Sequence, residues 1–532
     1  MEITERTKEL LQKHKEWKIS LQPKEGERVI EVDEVASQVA AFYEKIRGVV
    51  DWKEEHLLRK TAIGRILRRR LLLQPNGEGI AGPLIEDLVR GGHLPNNQVP
   101  LALIQTTQEI IDKYLYILNN SPEKVPAEFK TKDKRTLEDW LFGIAASEIE
   151  ETLSPPLRER ALISYMTSDM SEKIQVQGEQ LSSEDMDNQI FTAVQKALFK
   201  LDAPTISHHL LERFYPEWQN LPRKTLVSLA ENIHAVRKSI ENVLLHPISE
   251  RLYRVAERQD TPYLILGDII TENPDDFESI VENPKKTEYA IENAYNLRLL
   301  RLKQRIKRAA IYSTLSILLS KMLIALVIEI PLDQYLLSGI NILAVGLSIA
   351  IPPLLMIILV TTIKPTSATN FQQVVFGVIK LIYKSEKKEA IDIPLPKRRG
   401  RIFGVIVSVL YTLSFIVSFG ALAWALNALN FSITSIVIFL IFLSLVAFAG
   451  TIIRQRGREL LVLPEKEGMI HGLLDIFFLP MIQVGKWLSG QLARYNILVV
   501  LFNFIIDVPF HFFVEFFEQW RAFLKEKKEE IH

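Results

Sequence analysis

His208, His209 and Glu212 are the residues of this chain whose spacing most invites chemistry, because His208 and Glu212 stand one helical turn apart and two such side chains can share a metal ion. No third ligand and no HExxH arrangement accompanies them, so no metal site is expected and the pair reads as structural or surface-lying. Glu148, Glu150 and Glu151 form an acidic cluster that reads as one helix face rather than as a pair of catalytic carboxylates. There is no Gly-rich phosphate loop, no GxSxG elbow and no kinase-type set, and the chain has no cysteine to serve as nucleophile, thiolate ligand or disulfide. No catalytic residue and no cofactor is expected.

A second set lies in apolar surroundings. Asn503, Asp507, His511, Glu515 and Gln519 recur every four residues and make one polar stripe on a Phe-rich helix, with His471 and Asp475 repeating the one-turn spacing nearby. Facing a protein-lined cavity, Asp507, His511 and Glu515 would relay protons or bind a divalent cation; facing water, they are the wet side of an interfacial helix. Lys321 sits within a 20-residue apolar run, where a cation costs ~2.5–3.5 kcal/mol on the insertion scale. It is expected either to snorkel toward Glu329 or to pair inside the bundle with a carboxylate such as Asp475 or Asp507.

The third set is basic. Arg59, Lys60, Arg65, Arg68, Arg69 and Arg70 share a helical segment, Asp51 to Leu73, with Leu57, Ile63, Ile66, Leu67 and Leu71. Such a helix lies on an anionic lipid surface or turns its cations to acidic neighbours. Aromatic interleaving and known modules are missing, so specific nucleic-acid binding is not expected.

The elements that must position these residues fall into two compositions. The chain of 532 residues balances 64 basic against 64 acidic side chains, and is 48% hydrophobic while 24% charged. The two kinds are segregated: charged residues recur throughout the first 300 positions, and nearly all long apolar runs follow Arg308. The amino-terminal stretch to Ser20 has no apolar signal core and is expected to stay in the cytoplasm. Amphipathic helical patterns with ordinary turn punctuation predict an all-α fold: helices over Asp33 to Arg47 and Asp51 to Leu73, then from Pro83, Pro100, Thr136, Pro156, Ser183, Lys224 and Pro284 onward. Residues 1–300 are thus expected to be a cytoplasmic multi-helix domain.

Residues 301–460 are expected to form a transmembrane domain with four spans, about 309–328, 336–363, 402–426 and 433–453, each long enough at ~1.5 Å per residue for a ~30 Å hydrocarbon core. Pro352-Pro353 should kink the second. Basic clusters at Arg301 to Arg308, at Lys397 to Arg401 and at Arg454 to Arg458 all fall on one side, while the opposite loops hold Glu329 and Asp333 or no charge at all. That places both termini of the domain on the cytoplasmic side, with 364–401 as a cytoplasmic loop carrying an interfacial helix over Asn370 to Tyr383. The helix from Pro284 continues into the first span without Pro or Gly. Gly404 and Ser408, and Ser414 and Ser418, have the four-residue spacing that permits close helix contact.

Residues 461–532 are apolar but carry ionisable groups. Two amphipathic pieces, 469–494 and 495–528, are expected in-plane or re-entrant; a hairpin in which both cross would make six spans. The quoted motifs resemble no family of known function. Two functions are open: a membrane-anchored, non-enzymatic interaction or regulatory module with a protein partner at its cytosolic domain, and an ion- or proton-coupled transporter or channel built on Lys321 and the carboxy-terminal stripe. The lipid bilayer is the one partner composition names, anionic lipid a further candidate, and the setting is a plasma membrane of bacterial type. Oligomeric state is open.

Overall fold

A computed structural model describes residues 3–20, 28–32, 55–130, 136–177, 181–337, 342–361, 368–383, 390–394, 401–460 and 469–494, with short pieces between 516 and 527. The expected helix over Asp33 to Arg47 and the residues Asn503, Asp507, His511 and Glu515 lie outside these. The fold is all-α apart from one short ribbon, and the chain forms two units. The first comprises Met1–Ser279, Lys380–Pro396 and Leu501–His532; the second comprises Ile280–Ile379 and Lys397–Val500.

The first unit holds α1 (Glu5–Ser20), α2 (Glu55–Leu73), α3 (Ala81–Arg90), α4 (Ala102–Asn119), α5 (Leu137–Leu153), α6 (Leu157–Lys173), α7 (Ser183–Phe199), α8 (Ala203–Phe214), α9 (Arg223–Glu231), α10 (Ile233–Leu244) and α11 (Ser249–Glu272). Side-chain oxygens start several of them: Thr136, Ser182 and Asp202 each accept a hydrogen bond from the backbone N–H three residues on, satisfying a donor that the first turn leaves free. The turn between α2 and α3 needs Gly77, whose φ is +74° and where a Cβ would stand 2.3 Å from Leu115. Ile63, Ile66 and Leu67 of α2, Leu84, Ile85 and Leu88 of α3, and Trp140, Leu141 and Ile144 of α5 meet in one buried core.

The ribbon was not legible as strands. β1 (Ile174–Gln177) pairs in parallel with β2 (Ile391–Pro394), Ile174 opposite Ile391, so two four-residue segments far apart in sequence complete each other's backbone bonding. Nearby, the Leu381 carbonyl accepts from Thr7 Oγ1 at 3.1 Å and from the Tyr165 hydroxyl at 2.9 Å. Part of what reads as a membrane-domain loop therefore belongs to the first unit.

Within the second unit, α13 (Pro284–Ile324) runs unbroken for 41 residues, after the short α12 (Phe277–Glu282). Asn283 caps it, its Oδ1 accepting from the Lys285 and Lys286 amides, and Pro284 occupies the first turn, where no donor is lost. A π-helical turn, Ala325–Glu329, then joins α13 to α14 (Ile330–Leu337). Pro331 explains the widening, since in an α-helix its ring would meet the carbonyl of Val327. The remaining helices are α15 (Ile342–Thr361), α16 (Ala368–Ile382), α17 (Arg401–Ala428), α18 (Ile433–Gly457) and α19 (Met469–Arg494).

Among the described residues four helical stretches, Pro284–Tyr335, Ile342–Thr361, Gly404–Ala428 and Ile433–Gly457, are long and apolar enough to cross a bilayer, and the chain is an integral membrane protein. Their surfaces agree with that solvent. On α17, Val405, Val409, Leu413, Ile416 and Trp424 are exposed, an apolar exterior that water would not support. The sequence ended the first span before Glu329; instead the helical path continues through it, and both Glu329 and Asp333 are buried.

Helix α19 touches α17 and α18 at their middles. A Cβ on Gly485 would fall 2.0 Å from the Ser444 carbonyl oxygen, so the two backbones approach as only glycine allows. Ser414 Oγ donates to the Ile476 carbonyl at 3.1 Å and Ser418 Oγ to the Phe477 carbonyl at 2.7 Å. Pro480 lies inside this helix and has no N–H for the Ile476 carbonyl, and Ser414 of α17 supplies the missing donor. The middle of α19 thus packs beside the middles of α17 and α18. Gly404 has no atom within 4 Å of its Cβ position, so the other small-residue pair on α17 makes no such contact.

Candidate functional site

In the first unit, the residues that read separately as a two-ligand pair and an acidic helix face converge. Along α5, Gly143, Ser147 and Glu151 share one stripe at four-residue spacing, and that stripe faces α8. A Cβ on Gly143 would already lie 3.3 Å from Pro204, and Ser147 Oγ is 3.3 Å from Thr205 Oγ1, so small side chains bring the two helices close. One turn further on, that closeness puts His209 Nε2 2.6 Å from Glu151 Oε1, and Gln195 Oε1 holds the other ring nitrogen at 2.5 Å.

Glu148, also on α5 and 4% exposed, accepts three donors: Lys113 Nζ at 2.5 Å and the Tyr114 hydroxyl at 2.7 Å from α4, and Trp218 Nε1 at 2.9 Å. Pro155-Pro156 ends the connection after α5 and starts α6, whose Arg160 reaches back to Glu151 and, at 2.8 Å, to Glu212 of α8. These two polar clusters border one cavity of about 430 Å³, walled by Lys113, Glu148, Glu151, Arg160, His208 and Glu212 and rimmed by Gln219 and Asn220. Arg160, Glu212, Gln219 and Asn220 also border a second opening, with Pro216 and Trp218.

Burial shapes the electrostatics. It opposes ionisation of Glu151, but the His209 hydrogen bond and the His209 and Arg160 charges outweigh it and hold that carboxyl down to about 2. Burial pushes the Lys113 ammonium down, with Glu148 pulling the other way. It lowers His208 too, against Glu148, Glu212 and Glu151, so the ring is neutral at pH 7.

His208 is the odd member. It is 1% exposed, its Nε2 lies 3.6 Å from Glu212 Oε1, too far for a hydrogen bond, and its Nδ1 has no hydrogen-bond partner among the described residues. A buried unpaired ring nitrogen costs ~1–3 kcal/mol, and the residue that carries it lines the cavity. Among the described residues no three His, Asp or Glu stand as a metal-holding group.

Sequence reasoning passed over this site although its signal was present. Glu148 and Glu151 fall on the buried side of α5 with Leu141, Ile144 and Ala145, positions that helical periodicity gives to apolar residues. Likewise Thr205 to Leu211 is buried on every side, so both histidines are inside.

The sequence-predicted residues are distributed otherwise. Arg59 pairs with Glu150 at 3.0 Å, Lys60 with Asp202 and, at 3.1 Å, Thr205, and Arg68 with Asp139 at 3.1 Å. Arg69 and Arg70 both reach Asp87, at 2.8 and 2.7 Å, where Arg90 joins them. Arg65 is half-buried, and of these six cations only Arg68 is exposed. The basic helix is spent largely on acids of its own unit.

Lys321 and Glu329 form an ion pair at 2.7 Å with neither side chain exposed. Ser348 Oγ adds a hydrogen bond to Glu329 at 3.2 Å, and the Phe442 ring centroid lies 5.6 Å from the ammonium. Asp333 Oδ2 accepts from Ser432 at 2.9 Å and from Ser435 at 3.3 Å, at the amino end of α18, where the helix dipole favours an anion. Asp475 falls on α19, and Asp507, His511 and Glu515 lie outside the described residues. Compared with protein-family models, curated proteins and solved structures, the chain gives no match.

Proposed function

We propose that this multi-pass membrane protein is an anchored, non-enzymatic interaction module whose cytosolic first unit receives a basic side chain of a protein partner in the cleft over His208. The observation that carries it is the wall of the cavity beside His208, where the four carboxylates Glu109, Glu148, Glu151 and Glu212 stand with Lys113 and Arg160 as the lining cations. A volume of about 430 Å³ is within the usual range for sites that bury a small group, and the excess of carboxylates suits a cationic one. In the second unit, by contrast, Lys321 and Glu329 neutralise each other. That favours an anchor over a charged route.

The test uses the full chain in its native membrane, with a photo-crosslinking amino acid in place of Asn220 on the rim, and a second at the exposed Leu72 as control. The expected result is a discrete adduct from Asn220 alone that disappears with Glu212→Gln. Equal labelling from both positions, or an adduct indifferent to Glu212→Gln, would overturn the reading.

A further inference from the structure

Apart from that cleft, the second unit carries a groove of about 640 Å³ along α13, closed on its other side by Ile357, Val360 and Thr361 of α15 and by Gly457 at the end of α18. Its α13 wall runs from Leu299 to Leu318 on one helical stripe and changes character part-way. At the upper end stand Lys303 and Lys307, both exposed and neither in an ion pair among the described residues. Below Lys307 the wall is Ala310, Ile311, Thr314, Leu315 and Leu318. From Lys307 to Leu318 is eleven residues, about 16 Å at ~1.5 Å each, close to half of a ~30 Å hydrocarbon core.

We propose that this groove binds one anionic phospholipid, its phosphodiester held by Lys303 and Lys307 and an acyl chain laid against Ala310, Thr314 and Leu318. Each part of such a lipid meets its complement at the right depth. The two ammonium groups stand one helical turn apart, where a headgroup phosphate of the adjoining leaflet sits, and the slot below is one leaflet deep. A border of cations that merely fixes topology has no reason to favour one face of the helix. Here the border divides: Lys303 and Lys307 lie on the groove, while Arg301 and Arg305 are about 120–160° round the helix from them and do not line it. These two pairs of the border's five cations therefore supply their own control. An apolar segment or a second copy of the chain would fit the lower slot but would leave both lysines without an anion.

The full-length protein in mild detergent, titrated with phosphatidylglycerol and phosphatidylcholine of matched chains and read by native mass spectrometry, tests this. Wild type should keep one phosphatidylglycerol per chain under activation that strips phosphatidylcholine. Lys303→Gln with Lys307→Gln should lower that retention about tenfold or more, to the phosphatidylcholine level. Arg301→Gln with Arg305→Gln, the same charge removed from the far face, should leave it intact. Ala310→Trp should lower it with both lysines in place; should that variant fail to fold by thermal melting, Ile357→Trp fills the slot from the facing helix. Equal retention of the two lipids, equal losses from the two charge variants, or dimers that exclude phosphatidylglycerol would each overturn the proposal.

Discussion

Lys321 and Glu329 lie eight residues apart on one helical path and meet at 2.7 Å because a π-turn between them inserts one extra residue into the winding. In an uninterrupted α-helix the two would be about 80° out of phase; one added residue brings them within about 20°. Removing one partner leaves the other buried and unpaired, at about 3–5 kcal/mol, whereas replacing both by apolar residues is close to neutral. Glu329→Leu alone should therefore lower the stability of the detergent-solubilised chain far more than Lys321→Met with Glu329→Leu. Thermal unfolding of the four corners of that cycle checks it, and a single Lys321→Met as stable as wild type would show that the charge has no role.

Ser414 owes its partner to Pro480. Ser414→Ala should cost about 0.6–1.7 kcal/mol, the range of interhelical hydrogen bonds in membranes. In a Pro480→Ala background residue 480 regains its N–H, the Ile476 carbonyl is bonded within α19, and the cost of Ser414→Ala should fall by more than half. Equal costs in the two backgrounds would refute the link.

Gly485 and Gly490 of α19 should behave oppositely. Gly485 abuts the Ser444 carbonyl, whereas Gly490 has nothing within 4 Å of its Cβ position. Gly485→Val should expel α19 from α18 and raise protease cleavage between the two helices. Gly490→Ala should leave stability unchanged or gain up to about 1 kcal/mol from better helix propensity.

His208→Leu should separate stability from function. Deleting an unpartnered buried nitrogen relieves its desolvation, so the variant is expected to be more stable by about 1 kcal/mol while losing the Asn220 crosslink. A variant that loses stability and keeps the crosslink would assign His208 to the core alone.

Acid should find Glu151. Its carboxyl ionises near 2 in the folded chain against an ordinary 4.5, so its stabilising contribution is complete above about 4.5 and is lost as pH falls toward 2. That slice is on the order of 3 kcal/mol. Glu151→Gln should remove it at neutral pH and flatten the fall of melting temperature between pH 4.5 and 2, which a pH series of melts would reveal.

Much of the architecture could be read from local pattern because its causes are local. A run of some 20 apolar residues such as that ending at Ile328 needs no neighbour to prefer lipid, and Asn283-Pro284 starts a helix by its own capping geometry. Helix type followed for the same reason, but extent did not throughout: Lys224 to Leu245 is divided at Asn232 into α9 and α10, and α8 and α11 stand outside the expected helices. Glu329 shows where that logic stops: a charge at the edge of an apolar run reads as loop, and only the π-turn forced by Pro331 carries it into the bundle opposite Lys321.

What the amino-acid order determined alone is the division into a charged helical part and an apolar one, the four spans and their basic borders. Tertiary structure alone decided that Glu148, Glu151, His208 and Arg160, from three helices, line one cavity, and that residues 391–394 complete a ribbon with residues 174–177. Burial and hydrogen-bond pairing are properties of what surrounds a residue, and those surroundings are brought together only when distant segments pack.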